Sequence, residues 1–273
     1  MQPLQDYHTH TCFSFDGQTQ PEELIRKSAE WGITHLAITD HADFAKDKPL
    51  RQQLTEFVET FGAARRAVEC AGQQTSGLDI EVAFGIEIGQ PLFAPAESAE
   101  LAAALPFDVV LMSVHQILDY PDFYFFDYNE YDPVKTIGEY FEEVVKSVKT
   151  ADFDVLTHLF YPHRYLWKQG MDLPGDFGAD AIDETLKWLA QNGKALEINV
   201  STVYAGYPSM PPLRLIRRFR ELGGEFITVG TDDHKLLHQQ RLPAHGLCLA
   251  AEAGFKYFTT YRDRCPQPVR FIR

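Results

Sequence analysis

The sequence predicts an α/β fold: a parallel sheet buried by helices, either doubly wound or closed as a barrel. Three observations predict it. Short runs rich in Val and Ile alternate with longer segments of helical spacing, about seven times over. The helical segments carry their own boundary residues, such as Pro21 at a first turn and Gly32 or Gly193 at an end. No linker, low-complexity run or charge block interrupts the alternation, so residues 1–273 read as a single domain.

The elements follow in order. "PLQDYHTH" opens as a strand, "QPEELIRKSAEWG" (20–32) is a helix and "THLAITDH" (34–41) a strand. The segment 50–72 is a long helix, with Leu54, Phe57, Val58 and Phe61 on one face. Strands are expected at 80–87 and 107–115, a helix at 132–150 and a strand at 154–158. A helix at 178–193, a strand at 194–201, a helix at 211–224 and a strand at 225–234 continue the series, which ends in a short helix at 245–254 and a last strand at 256–261. Between them, 116–131, "QILDYPDFYFFDYNEY", is a long aromatic loop, read equally as a lid over a site or as a surface loop packing its own rings.

Composition narrows the function. The 25 Lys and Arg stand against 39 Asp and Glu, a net charge of −14, which argues against a nucleic-acid surface. The four cysteines, Cys12, Cys70, Cys248 and Cys265, have neither zinc-ribbon nor disulfide spacing, so a reducing cytoplasm is expected. No secretory signal and no apolar run of ~20 residues is present, so neither export nor a membrane span is expected.

The strand ends carry the chemistry. His8 and His10 are two apart, which on a strand places both on one face, as a chelate or by chance. The other expected strands end in His41, Glu87, His115 and His158, and one in the pair Asp232 and His234. One polar strand exit has a bland explanation, but six strands ending in metal-ligand types do not. Functional residues of parallel α/β folds gather at those carboxyl ends. Imidazole with carboxylate, and no strand-end thiolate, suits Zn, Fe or Mn. Asp16, in "SFDG", is by itself best read as a turn residue before Gly17.

In this order, "DYHTHTCFSFDG", "ITDHADF", "GIEIG", "SVHQI", "LTHLFYPHRY", "LEINVS" and "VGTDDH" resemble the motifs of the polymerase and histidinol phosphatase (PHP) superfamily, and most of all its stand-alone histidinol-phosphate phosphatases. The resemblance runs from residue 6 to about 260. It implies a distorted (β/α)7 TIM-like barrel with two or three divalent ions at its carboxyl end. It also implies the ligands. His8, His10, Glu87 and Asp232 would hold one ion, Glu87, His115 and His158 a second, and Asp16, His41 and His234 a third. Where most members read Ser-Asp-Ala-His, this chain has "TDDH", and Asp233 adds a charge nearby. The activity implied is hydrolysis of L-histidinol phosphate, a step of histidine biosynthesis.

Such ions point to hydrolysis, because each lowers the pKa of bound water and polarises a phosphoryl oxygen. A hydroxide bridging two of them would attack phosphorus in line. Three divalent ions against Asp16, Glu87, Asp232 and one hydroxide leave the charge that a phosphate monoester dianion matches. Catalytic weight is expected on Glu87, Asp232, His234 and Arg164. Arg164, in the loop after His158, is the expected guanidinium clamp for phosphate, with Arg241 the weaker candidate. Glu197 or Asp127, with aromatics from 120–131, are candidate contacts for the ammonium and imidazole of the alcohol. Arg214, Arg217, Arg218 and Arg220 read as a solvated helix face. His35 reads as structural, His163 as a loop residue, His238 and His245 as weak candidates, and Cys12 as a packed thiol. The competing readings are a phosphoesterase for another monoester or nucleotide, and a metal-binding regulatory domain without turnover.

Overall fold

The structure, a computed structural model, describes residues 2–237 and 241–271. Eight short strands form its sheet: β1 (Gln5–Thr9), β2 (His35–Ile38), β3 (His41–Asp43), β4 (Glu81–Gly89), β5 (Val109–Ser113), β6 (Val155–Leu156), β7 (Ala195–Asn199) and β8 (Ile227–Gly230). They pair in parallel in the order β1-β2-β4-β5-β6-β7-β8, and β3 continues β2 by pairing the far end of β4. The sheet therefore has seven staves, one of them interrupted. At the interruption Asp40 turns its carboxylate to the Thr11 amide, 2.6 Å away, and so ties the second stave to the first loop.

The seam between β8 and β1 closes the sheet into a barrel. Asp232 N donates to His8 O at 2.8 Å, and His10 N to Asp233 O at 3.0 Å. Lower down, side chains replace the ladder: Gln5 Oε1 accepts from Val229 N, and the Asp6 carboxylate accepts from Thr231 N, each at 2.9 Å. Burial pushes the Asp6 carboxyl up to about 7.

Helices α1 (Pro21–Glu30), α2 (Leu50–Gln74), α3 (Pro95–Ala104), α4 (Pro133–Thr150), α5 (Tyr161–Lys168), α6 (Ala179–Gln191), α7 (Leu213–Glu221) and α8 (Leu242–Glu252) surround the barrel. Their apolar faces bury Leu24, Phe61, Phe141, Leu186 and Ile216 in one continuous core. The arginines of α7 face outward as expected, Arg217 to Glu252 at 2.8 Å and Arg218 to Asp183 at 2.5 Å. No helix among the described residues is long and apolar enough to cross a membrane.

Three features differ from the sequence reading. Helix α3 occupies a stretch in which no element was expected. Helix α5 replaces the expected loop after His158, so His163 and Arg164 sit on a helix. The last strand, β9 (Tyr257–Arg262), does not extend the parallel sheet. It forms an antiparallel hairpin with β10 (Cys265–Arg270). The hairpin lies against the amino ends of the staves, where Thr259 O accepts from Gln5 Nε2 at 2.6 Å and Tyr261 N donates to Tyr7 Oη at 2.8 Å. Tyr7, Ala37, Ala83, Leu111, Val155 and Tyr261 fill the barrel beneath the site. Pro266 and Pro268 hid β10, since proline is confined to sheet edges.

Candidate metal centre

At the opposite end, the first and second staves bring three histidines inward. His8 and His10 leave β1 on the same face, both fully buried, with ring centroids 5.1 Å apart. His8 Nδ1 meets Glu197 Oε1 at 2.7 Å, so Nε2 is the nitrogen turned to the centre. His10 Nδ1 meets Ser14 Oγ at 3.2 Å, which leaves its Nε2 inward as well. Ser14 also donates to Asp40 at 2.7 Å and accepts from His41 N at 3.0 Å, which locks the first loop to the second stave.

Glu87 stands in the middle, fully buried on β4. Its Oε2 lies 3.3 Å from His8 Nε2, 3.7 Å from His10 Nε2 and 2.7 Å from His41 Nδ1. Its Oε1 lies 3.3 Å from His115 Nε2 and 3.0 Å from His158 Nε2. Asp232 Oδ1 approaches His10 Nε2 at 3.3 Å and His8 Nε2 at 3.8 Å. At the rim, Asp16 Oδ2 is 3.3 Å from His234 Nε2, and His41 Nε2 is 3.2 Å from that same nitrogen. The nine residues singled out as ligands thus converge on one end of the barrel. Asp16, in isolation a turn residue, reaches the cluster from the first loop.

The donor set fits metal ions. Four groups of side chains have ligand atoms close enough to share one: His8, His10 and Asp232; His8, Glu87 and His158; His41, Asp43 and His115; and His10, His41 and His234. His8 Nε2, His10 Nε2, His41 Nδ1 and Glu87 Oε2 are buried with no well-aligned hydrogen bond, though His41 Nδ1 and Glu87 Oε2 form an ion pair at 2.7 Å. Buried polar atoms normally have one, because desolvation without a partner costs roughly 1–3 kcal/mol each. Four such atoms turned to one centre are explained by a cation that satisfies them.

The charges respond to one another. Burial opposes ionisation of Glu87, but His8, His41 and His115 hold its carboxyl well below the usual range. Burial likewise opposes charge on Asp232, and Arg164, His10 and His8 overcome it. Burial lowers His10, helped by His234 and His41. Burial would also lower His8, yet Glu197, Glu87 and Asp232 raise it well above its ordinary value.

The backbone is strained at two residues of the cluster. Asp232 has φ of 57° and His158 of 21°, outside the ordinary regions for non-glycine residues. Such strain persists where surroundings enforce it, and it clusters at functional sites. Two glycines leave room. A Cβ on Gly89 would stand 1.6 Å from Asp43 Oδ1, and one on Gly230 2.2 Å from Glu197 Oε1.

Several expected contacts fall elsewhere. Glu197 does not reach the cleft: it is buried behind the cluster and holds His8 and the His158 amide, the latter at 2.7 Å. Asp127 is exposed and caps its own turn through Asn129, 2.9 Å away. Arg241 is exposed at the start of α8, and the cleft lining among the described residues does not include it. Asp233 turns aside to accept from Lys235 N at 2.9 Å. His35 packs on Phe258 at the amino end, and Cys12 and His245 are exposed. His238 lies outside the described residues.

Other residues went unnoticed in the sequence. Asp43, two after His41 and on the same face of β3, accepts His115 Nδ1 at 2.9 Å; the His-x-Asp spacing was its signal. Asp122, inside the aromatic loop, lines the cleft beside Tyr124, Tyr161 and Arg164. It accepts from Tyr124 N at 2.7 Å and from Tyr161 Oη at 3.3 Å, and burial raises its carboxyl. The loop packs its own rings, with Phe123, Phe126 and Tyr128 buried, while Tyr124 and Phe125 stand exposed and line the cleft. The cleft measures about 420 Å³.

The family model of the PHP domain matches residues 6–201, from the His8–His10 pair to the exit of β7. The chain belongs to the PHP domain family. Asp232 and His234 lie beyond the matched span and join the same cluster. A probable histidinol-phosphatase of Thermotoga maritima is 26% identical over 85% of both chains. The histidinol-phosphatase of Lactococcus lactis subsp. lactis is 27% identical over 94% of this chain and 93% of its own. A crystal structure of histidinol phosphate phosphatase from that species, complexed with zinc, L-histidinol and phosphate, superposes with a TM-score of 0.76 at 24% identity, covering 97% of this chain and 98% of its own. That likeness establishes the fold, a parallel barrel of PHP type.

Proposed function

We propose that the chain is a metal-dependent phosphatase that hydrolyses L-histidinol phosphate to L-histidinol and phosphate, acting as a single domain with two or three divalent ions of the Zn, Fe or Mn class. The observation that carries this is the convergence of nine histidines and carboxylates on one end of the barrel around Glu87, with four of their buried atoms lacking a well-aligned hydrogen bond. The curated relatives, named histidinol-phosphatases, support the substrate and span more than four-fifths of both chains.

Bound there, divalent ions supply Lewis acidity and an activated water for attack on phosphorus. The chain's residues do the rest. Glu87 and Asp232 offer charge at the centre, and His8, His10, His41, His115, His158 and His234, with Asp16 at the rim, complete the donor set. Arg164 lines the cleft and is paired to Asp232 Oδ2 at 2.6 Å, so a phosphate there meets a guanidinium as well as the ions. Asp122, rather than Glu197 or Asp127, is the carboxylate among tyrosines in the cleft, suited to the ammonium or imidazole of the alcohol. The cleft's size fits a small phosphate monoester, and the net charge of −14 disfavours long nucleic acid.

Phosphate release from L-histidinol phosphate, p-nitrophenyl phosphate and a nucleoside monophosphate tests the reading. The expected result is a clear preference for histidinol phosphate, lost in Asp122→Asn while p-nitrophenyl phosphate turnover stays near wild type. Equal turnover of all three, or a nucleotide preferred, contradicts it.

A further inference from the structure

Behind the cleft, one face of β7 and its exit carries Glu197, Asn199 and Ser201 in alternation. A carboxylate only accepts hydrogen bonds. Glu197 accepts from His8 at Oε1, and at Oε2 from the His158 amide at 2.7 Å and Asn199 Nδ2 at 3.2 Å. The Asn199 amide is thereby oriented, since the reverse orientation would face oxygen to carboxylate. Its Oδ1 then accepts from Ser201 N at 3.1 Å and Ser201 Oγ at 2.6 Å. The one hydroxyl proton of Ser201 is committed, so its oxygen accepts, and Arg164 Nη2 donates to it at 2.7 Å. That same nitrogen reaches Asp232 Oδ2. Every donor along this path points toward Glu197.

We propose that Asn199 and Ser201 are positioning residues, a relay that sets the Arg164 guanidinium against Asp232 and the cleft from the same carboxylate that orients His8. The inference rests on the reading of the cleft as a phosphatase site. Asp232 alone would leave the guanidinium, which lies over the Tyr161 ring, with one hydrogen-bonded anchor. Ser201 supplies the second, so Nη2 is fixed between serine and carboxylate while the guanidinium stays in the lining of the cleft. Ser201 also lines a smaller pocket that shares Arg164, Lys168 and Asp232 with the cleft, so the relay ends at the wall between the two.

The test combines calorimetric binding of inorganic phosphate to the metal-loaded protein with kcat/KM for histidinol phosphate and p-nitrophenyl phosphate. Ser201→Ala is expected to weaken phosphate binding and lower kcat/KM for both esters by about 10- to 100-fold, the scale of supporting-shell changes. Metal content and melting temperature should stay near wild type. Ser201→Thr keeps the hydroxyl and should restore both readouts. Asn199→Asp, which removes the donor facing Glu197, should reproduce the loss, and Ser201→Ala should add little in an Arg164→Ala background. Phosphate binding and turnover within twofold of wild type in Ser201→Ala, or an undiminished effect without Arg164, overturns the relay. A wild-type protein that binds phosphate but cleaves no monoester removes the proposed function and leaves the binding arm to decide the relay. One that binds no phosphate overturns the relay too.

Discussion

Which nitrogen of His8 faces the cluster is decided by Glu197, a residue that touches no substrate. In sequence it looked like a candidate for the alcohol, because a carboxylate on a ligand-bearing strand gives no sign of which way its neighbours turn. Only the packed barrel shows it behind His8 at 2.7 Å. Glu197→Ala should therefore weaken ion binding by about 10- to 100-fold, read by competition with a chromogenic chelator. An unchanged affinity would mean that His8 needs no such support. His163 is the opposite case, a histidine close to the site in sequence and spent on packing. Its ring lies 4.6 Å from Phe160 and 5.7 Å from Trp167, and burial holds it down to about 4. Between its unfolded value near 6.5 and about 4, the unfolded chain gains a proton that the folded chain refuses. Stability is therefore intact above pH 6.5 and falls toward pH 4, by roughly 3 kcal/mol from this residue. Denaturant melts across that range should show a shallower fall in His163→Phe; an identical slope would assign the acid sensitivity elsewhere.

The strands are shorter than their apolar runs, and the reason lies in the site. The ladder of β6 ends at Leu156, and β8 ends at Gly230, two residues before the proposed ligands His158 and Asp232. Those residues bend out of strand geometry to face the cluster, so hydrophobic pattern alone overshoots the strand ends while still locating the residues that converge. Helix α5 escaped notice because eight residues hold too little periodicity to read, and α3 because its alanine-rich face is weakly patterned. Strand β4, by contrast, was plain in the sequence, and its glycines acquire meaning only in the packed site. Gly89→Ala would push a methyl group into Asp43 and crowd His115. It should cost metal content and at least tenfold in kcat, by an overpacking strain of about 1–3 kcal/mol. Elemental analysis after dialysis and steady-state kinetics check this; full metal content with normal kcat would show that Asp43 has no part in the cluster.

Across the whole molecule, the parallel alternation and the histidines and carboxylates at the strand ends were readable because burial and a shared polar centre both leave regular traces in a linear sequence. The amino-end hairpin was not readable as such, since its second strand is built on prolines and mostly exposed. The relay through Asn199 and Ser201 was not either, because it depends on distances between α5, β7 and the seam of the barrel. The acidic surface charge is no obstacle to an anionic substrate if ions dominate the field at the centre. The most direct measurement is phosphate release from L-histidinol phosphate by chelator-stripped protein, reloaded stepwise with zinc, iron(II) or manganese while bound ions are counted. The account predicts negligible turnover in the stripped protein and activity that rises with the ions bound, to a plateau at two or three per chain. Full turnover without ions, or a fully loaded protein that leaves histidinol phosphate intact, would contradict it.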